Sequence, residues 1–241
     1  IVTVAETAKA AGCHGTPIKI AETCADKLKT RQALASADVS QPHFSELRVA
    51  ENYWAWAREL DWSAAVPDDV PQFILKATGS SGSRGHTRIS LQDFQSKPKM
   101  AEVIEKARRY SHGSYLLIEE LLYGVELSVE TLWYDGVMIP LNAVERPFIP
   151  DSNIELGHYN PAVLAPEVYD EVWGTMERAG NAVGLDGADG GHILKGDLIL
   201  TGAQRPVIYL DKGCSDSDLE LAKRAIDVVL TKGKIGETYC V

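Results

Sequence analysis

The sequence predicts an α+β protein in which helices cover antiparallel hairpins, and three observations predict it. Residues 125–133 alternate apolar and polar side chains as a half-buried strand does, and the pair Asp135-Gly136 turns the chain into a partner strand over 137–144. Residues 165–183 read as a long amphipathic helix that begins at Pro166 and stops before Gly184, with a proline suited to its first turn. Strands and helices then follow one another without an internal repeat and without a strict strand–helix–strand succession.

Taken in order, the first residues, from Ile1, read as the end of a strand. Residues 25–37 place Leu28, Ala33, Leu34 and Ala37 at helical spacing, with Asp26 suited to capping. Pro42 breaks that helix, and an extended piece follows over 43–47. Residues 50–60 look helical, with Trp54 and Trp56 among charges, and an acidic stretch bounded by Pro67 and Pro71 punctuates the chain. Residues 73–77 form a strand, 79–85 a glycine–serine loop and 86–90 a second short strand. A helix over 99–109 and a strand over 114–118 precede the long hairpin. After the long helix come strands over 192–200 and 206–210, joined by a turn at Gly202, and a closing helix over 217–230.

The 241 residues can bury one large core or two smaller ones, and 45% hydrophobic with 24% charged residues is the composition of a soluble globular protein. A formal net charge of −10 argues against a nucleic-acid backbone or an anionic membrane as the main partner. A small anion remains compatible, because a few local cations and backbone N–H groups hold a phosphate. No apolar run approaches the roughly 18–20 residues of a membrane span, and the N-terminus has no basic lead of a signal peptide. The four cysteines, Cys13, Cys24, Cys214 and Cys240, form no close pair, so reduced thiols in a cytoplasmic protein are expected. The chain lacks an initiator Met and is expected to be a fragment, or the ordered part, of a longer protein.

Several stretches, in order, resemble an ATP-grasp enzyme: residues 73–76, the Ser/Gly loop to Gly85, residues 118–126, and the strands that end at Asp197 and Asp211. Upstream, Asp26-Lys27 with its helix and residues 39–42 resemble the family's approach to this region, so the likeness runs from about residue 20 onward. Within the family, residues 154–158 with Pro161 most resemble enzymes that join an amino acid or similar carboxylate to an amine. The resemblance implies an ATP-grasp fold with a small lid subdomain over 66–118 and a larger antiparallel-sheet body over 119–241. Residues 1–65 would be the linker and helical lead-in from an N-terminal domain that is absent. It also implies ATP and Mg²⁺ as cofactors and a small-molecule carboxylate and amine as partners. Nucleic acid and membrane are not expected as partners, and a homo-oligomer is left open.

Lys76 ends an apolar strand just before the loop, where an ammonium can reach phosphate oxygens while Ser80, Ser81 and Ser83 close over them. A hairpin loop beside a surface lysine is the plainer alternative. Lys27 is a second candidate phosphate contact. By resemblance, Glu119, Glu120, Leu121 and Leu122 form the hinge that meets the adenine edge, and Glu126 accepts hydrogen bonds from the ribose hydroxyls. Asp197 and Asp211 come from strands joined by a short turn, and paired acidic oxygens suit Mg²⁺. The pattern departs from the family at Tyr209, which stands where a glutamate belongs, with Asp211 in an asparagine place and Gly213 near an arginine place. Glu155 and His158 could bind an amino group and a reacting carboxylate, while Arg84 and Arg146 could stabilise charge on a transferred phosphoryl group.

The reaction so implied passes the γ-phosphoryl group to a carboxylate and lets an amine displace it, which needs no side-chain nucleophile. Three alternatives compete: a degenerate nucleotide-binding domain without turnover, an ATP-grasp kinase or carboxylase-type enzyme, and a non-enzymatic binding module.

Overall fold

A computed structural model describes residues 1–48, 63, 66–80, 84–111, 113, 115–149, 155–201, 206–209 and 214–216. Three helices open the chain: α1 (Val2–Ala10), α2 (Ile18–Ala25) and α3 (Lys27–Ser36). The strand end expected at the first residues is therefore a helix. Ala5, Glu6, Ala8, Lys9 and Ala10 are strong helix formers and outweigh the β-branched Val2 and Val4. Asp26 separates α2 from α3, and its Oδ1 accepts from the N–H groups of Leu28 (2.9 Å) and Lys29 (3.3 Å) as an N-cap should.

The lid is a four-stranded antiparallel sheet in the order β1–β4–β2–β3, built from β1 (Phe44–Arg48), β2 (Pro71–Ala77), β3 (Thr87–Ser90) and β4 (Tyr115–Glu120). Two helices follow β3, α4 (Leu91–Gln95) and α5 (Lys97–Arg108), where one helix is expected from the sequence. The reason is local: Ser90 and Asp93 form a capping box, and Ser96 starts a new helix by accepting from Lys99 N–H. Phe73 and Leu75 of β2 and Leu116 and Ile118 of β4 pack on Met100, Val103 and Ala107 of α5. Strand alternation then turns Lys76 and Glu119 to the other face.

The body sheet runs β6–β5–β7–β8, from β5 (Val125–Tyr134), β6 (Val137–Glu145), β7 (Gly191–Leu200) and β8 (Pro206–Tyr209), with β9 (Cys214–Asp216) also paired to β7. Asp135 (φ 47°) and Gly136 (φ 80°) form the expected hairpin turn, whose two central residues both need positive φ. The long helix α6 (Pro166–Val183) ends on Gly184, left-handed at φ 97°. Leu127, Val129 and Trp133 of β5 and Leu194 and Leu198 of β7 meet Val172, Met176 and Ala179 of α6. Ile20, Leu34 and Val39 enter the same core, so the helices before the lid pack as part of the body. The opposite face of the sheet carries Glu126, Ser128, Lys195 and Asp197.

One close approach fixes how α6 sits. A Cβ on Gly180 would fall 2.0 Å from the Trp133 ring, which is itself 1% exposed. Gly180→Ala should therefore lower stability by about 1–3 kcal/mol, despite alanine's better helix propensity. A denaturant titration checks this, and an unchanged midpoint would mean that α6 can move off the sheet freely.

No helix among the described residues is long and apolar enough to cross a membrane. Cys13 is exposed and Cys24 is buried. The helices expected over 50–60 and 217–230 lie outside the described residues.

Candidate functional site

Helix α3 packs on α2 and α6, and two of its residues, one turn apart, reach the polar face of the lid sheet. Lys27 docks through its backbone N–H on Thr78 O (3.1 Å), and its ammonium donates to the backbone oxygen of Ser80. Arg31 donates from Nε to Glu119 Oε1 (2.5 Å) and from Nη1 to Ile208 O (2.9 Å) on β8. Lys76 Nζ lies 2.7 Å from the other oxygen of Glu119, which is 0% exposed. Two cations thus meet one buried carboxylate, and a third, Lys27, reaches the start of the glycine–serine loop at Ser80. Arg31 ties the lid strand β4 to the body strand β8. Tyr115 of β4 adds a second link by donating to Asp26 Oδ2 (3.0 Å). Burial and then that bond hold its phenol above the ordinary value, a contribution to stability that is complete below about pH 10 and lost above it.

The second cluster stands on the polar face of the body sheet. Arg146 follows β6, and its backbone N–H donates to Glu126 O (2.9 Å). Its Nη1 is 2.9 Å from Glu126 Oε1 and 2.9 Å from Asp197 Oδ1, and its Nη2 pairs with Glu155. Glu155 in turn meets His158 Nε2 at 2.9 Å, with His158 exposed to solvent. Bridges from Glu145 to Tyr159 and from Phe148 to Glu155 hold this loop against the end of β6. The guanidinium also lies over the Phe148 ring, 5.4 Å from its centroid.

The residues singled out in the sequence fall into these two groups. Lys27, Lys76, Ser80 and Glu119 come together at the lid, and Glu126, Arg146, Glu155, His158 and Asp197 at the body. Glu120 sits at the end of β4 and accepts from His43 N–H at 3.4 Å, while Leu121 N–H donates to Gln72 O, so Leu121 and Leu122 leave the lid sheet toward β5. Arg84 is exposed beside Gly85. Ser81, Ser83 and Asp211 lie outside the described residues. Sequence reasoning missed Arg31, although its spacing of four from Lys27 puts it on the same helical face. It also missed Ser128, which lies opposite Asp197 on the neighbouring strand.

Backbone pairing sets Tyr209 of β8 directly opposite Asp197 of β7. Among the described residues no three acidic, histidine or cysteine side chains are grouped to hold a metal ion. With Arg146 on Asp197 and Asp211 outside them, the described residues alone do not make a divalent-cation site.

No family model matches the sequence, and no curated protein matches it. Solved structures do. The L-amino acid ligase of Bacillus licheniformis matches at 18% identity and a TM-score of 0.66, over 94% of this chain and 49% of that one. The D-alanine–D-alanine ligase of Bacillus anthracis complexed with ATP matches at 15% and 0.61, over 94% of this chain and 69% of that one. Carboxyaminoimidazole ribonucleotide synthase of Aspergillus clavatus complexed with ATP matches at 16% and 0.66, over 89% and 50%. The chain therefore spans about half the length of the first and third of these enzymes. With a four-stranded antiparallel lid sheet, a larger antiparallel body sheet and these likenesses in hand, the chain has the ATP-grasp fold.

Proposed function

We propose that the chain is the nucleotide-binding part of an ATP-dependent ligase that activates a small carboxylate for attack by an amine. The observation that carries this reading is the pairing of two clusters on an ATP-grasp fold: cations at the lid loop and carboxylates on the body sheet. The lid cations Lys27 and Lys76 suit the β and γ phosphates, and Glu126 has acceptor oxygens for ribose hydroxyls. A substrate carboxylate oxygen attacks the γ phosphorus and ADP leaves. The amine nitrogen then attacks the acyl carbon, phosphate leaves with the C–O electron pair, and the amine gives up its proton. Glu155, at the exposed loop end, is the acceptor best placed for an incoming ammonium, and His158 for the reacting carboxylate. The Mg²⁺ expected from the resemblance enters no step here, because Arg146 occupies Asp197.

A specific observation favours one other reading, nucleotide binding without turnover: the backbone position paired with Asp197 on the neighbouring strand is a tyrosine, Tyr209, and not a carboxylate residue. ADP release with candidate amino acids and amines separates the two. Turnover that requires both substrates supports the ligase, whereas tight ATP binding with no ADP release leaves the binding domain.

The nucleotide assignment has its own test. Glu126→Ala should weaken ATP and adenosine alike, by about tenfold, since a hydrogen-bonding carboxylate at the ribose acts on both. Calorimetry with the two ligands reads this directly. Adenosine binding that survives the substitution would place the ribose elsewhere.

A further inference from the structure

Arg31 stands where α3, the lid and the body come together, and it is 1% exposed. Its Nε donates to Glu119 Oε1 on β4 at 2.5 Å, and its Nη1 donates to Ile208 O on β8 at 2.9 Å. Lys76 Nζ lies 2.7 Å from the other oxygen of the same carboxylate. Backbone register explains why the two cations converge. Glu119 is paired with Ile74 and Lys76 with Leu117, so Lys76 and Glu119 are diagonal neighbours on one face of the lid sheet. Arg31 comes to the same carboxylate from α3, one turn after Lys27. The two cations differ in what they can do next. Lys76 carries a point charge on a flexible stem and stands near the end of β2, just before the glycine–serine loop. Arg31 is a planar fork already fixed on one partner in the lid and one in the body. A phosphate arriving at the loop therefore draws Lys76 and leaves Arg31 in place, so Glu119 keeps Arg31 as a counter-charge. Without Arg31, the same turn would take a second cation from a carboxylate that is 0% exposed, and that cost would come off the affinity for the nucleotide.

We propose that Arg31 is a positioning residue of the nucleotide site, acting through Glu119. It shares the buried carboxylate with Lys76, so that the Lys76 ammonium is free to turn to the phosphates of a bound nucleotide. This rests on the reading of Lys76 as a phosphate contact and adds to it the residue that makes the contact possible.

Calorimetry with ATP and with adenosine tests this on four proteins shown to be folded by circular dichroism. They are the natural chain, Arg31→Met, Lys76→Met, and Arg31→Met combined with Glu119→Gln. Arg31→Met should lower ATP affinity about tenfold and leave adenosine within about twofold. Adding Glu119→Gln should return ATP affinity to within about threefold of the natural chain, because an amide places no counter-charge on Lys76. A purely structural role does not give this pattern, since it neither spares adenosine nor is reversed by a second substitution in the same buried cluster. Equal weakening of both ligands, unchanged ATP binding, or a double variant no better than Arg31→Met overturns the proposal. If Arg31→Met does not fold, Arg31→Gln, which drops the charge and keeps an N–H donor, decides on the same comparison. Lys76→Met separates this proposal from the reading beneath it. If Lys76→Met spares ATP, or the natural chain binds none, the phosphate contact falls and the proposal with it. If Lys76→Met weakens ATP and the Arg31 variants do not, the role of Arg31 falls alone.

Discussion

Replacing Glu119 with alanine should lower the stability of the chain by about 3–5 kcal/mol, which is the cost of removing one partner from a buried ion pair. Glu119 is fully buried, and its two oxygens are 2.5 Å from Arg31 Nε and 2.7 Å from Lys76 Nζ. Without the carboxylate, a guanidinium and an ammonium that are 1% and 4% exposed would face one another with their shared counter-charge gone. For a chain of this size the loss corresponds to a fall in melting temperature of roughly 10 °C. Because Arg31 also binds Ile208 O on β8, the damage should extend from the lid to the body. Thermal melts of the natural chain and Glu119→Ala give the comparison. A loss below about 1 kcal/mol would mean that both cations reach water once the carboxylate is gone.

Lys76→Ala should reduce ATP affinity at least tenfold, equal to about 1.4 kcal/mol, while leaving adenosine nearly unaffected. The geometry also supplies the competing explanation, because Lys76 is the partner of Glu119 and could be a structural counter-ion only. The two roles differ in what they predict. A phosphate contact is felt by ATP and hardly by adenosine, whereas a purely structural loss lowers both affinities or simply the melting temperature. Calorimetry on a protein shown to be folded decides between them, and unchanged ATP binding would remove Lys76 from the nucleotide site. Lys76→Met, which keeps the apolar stem and drops the charge, should behave like the alanine variant toward ATP.

Much of the fold was legible because its signals are local. The alternation over 125–133, the Asp135-Gly136 turn and the Pro166 and Gly184 boundaries act through neighbours in the chain, and the observed β5, β6 and α6 keep those limits within a residue or two. The misses are local too. Val2 and Val4 suggested a strand where alanines make a helix, and Ser96 started a helix beyond the one that Ser90 caps. The residues proposed for the site from the sequence are those where a charged side chain stands out against an apolar strand, as Lys76 and Asp197 do. Ser128 gave no such signal, since one serine in an alternating strand reads as the solvent side of a hairpin.

What the sequence determined by itself is the order of the elements and the face on which each polar side chain stands, because helix and strand periodicity depend only on nearby residues. What only the tertiary structure decided is which charges meet. Arg31 finds Glu119 across 88 residues of chain, and Arg146 gathers Glu126, Glu155 and Asp197 from β5, the loop after β6 and β7. Those encounters depend on α3 docking the Lys27 N–H on Thr78 O and on β5 pairing with β7 in one register. Packing sets both, because a shift of one residue would turn Asp197 into the apolar core and Leu198 out of it.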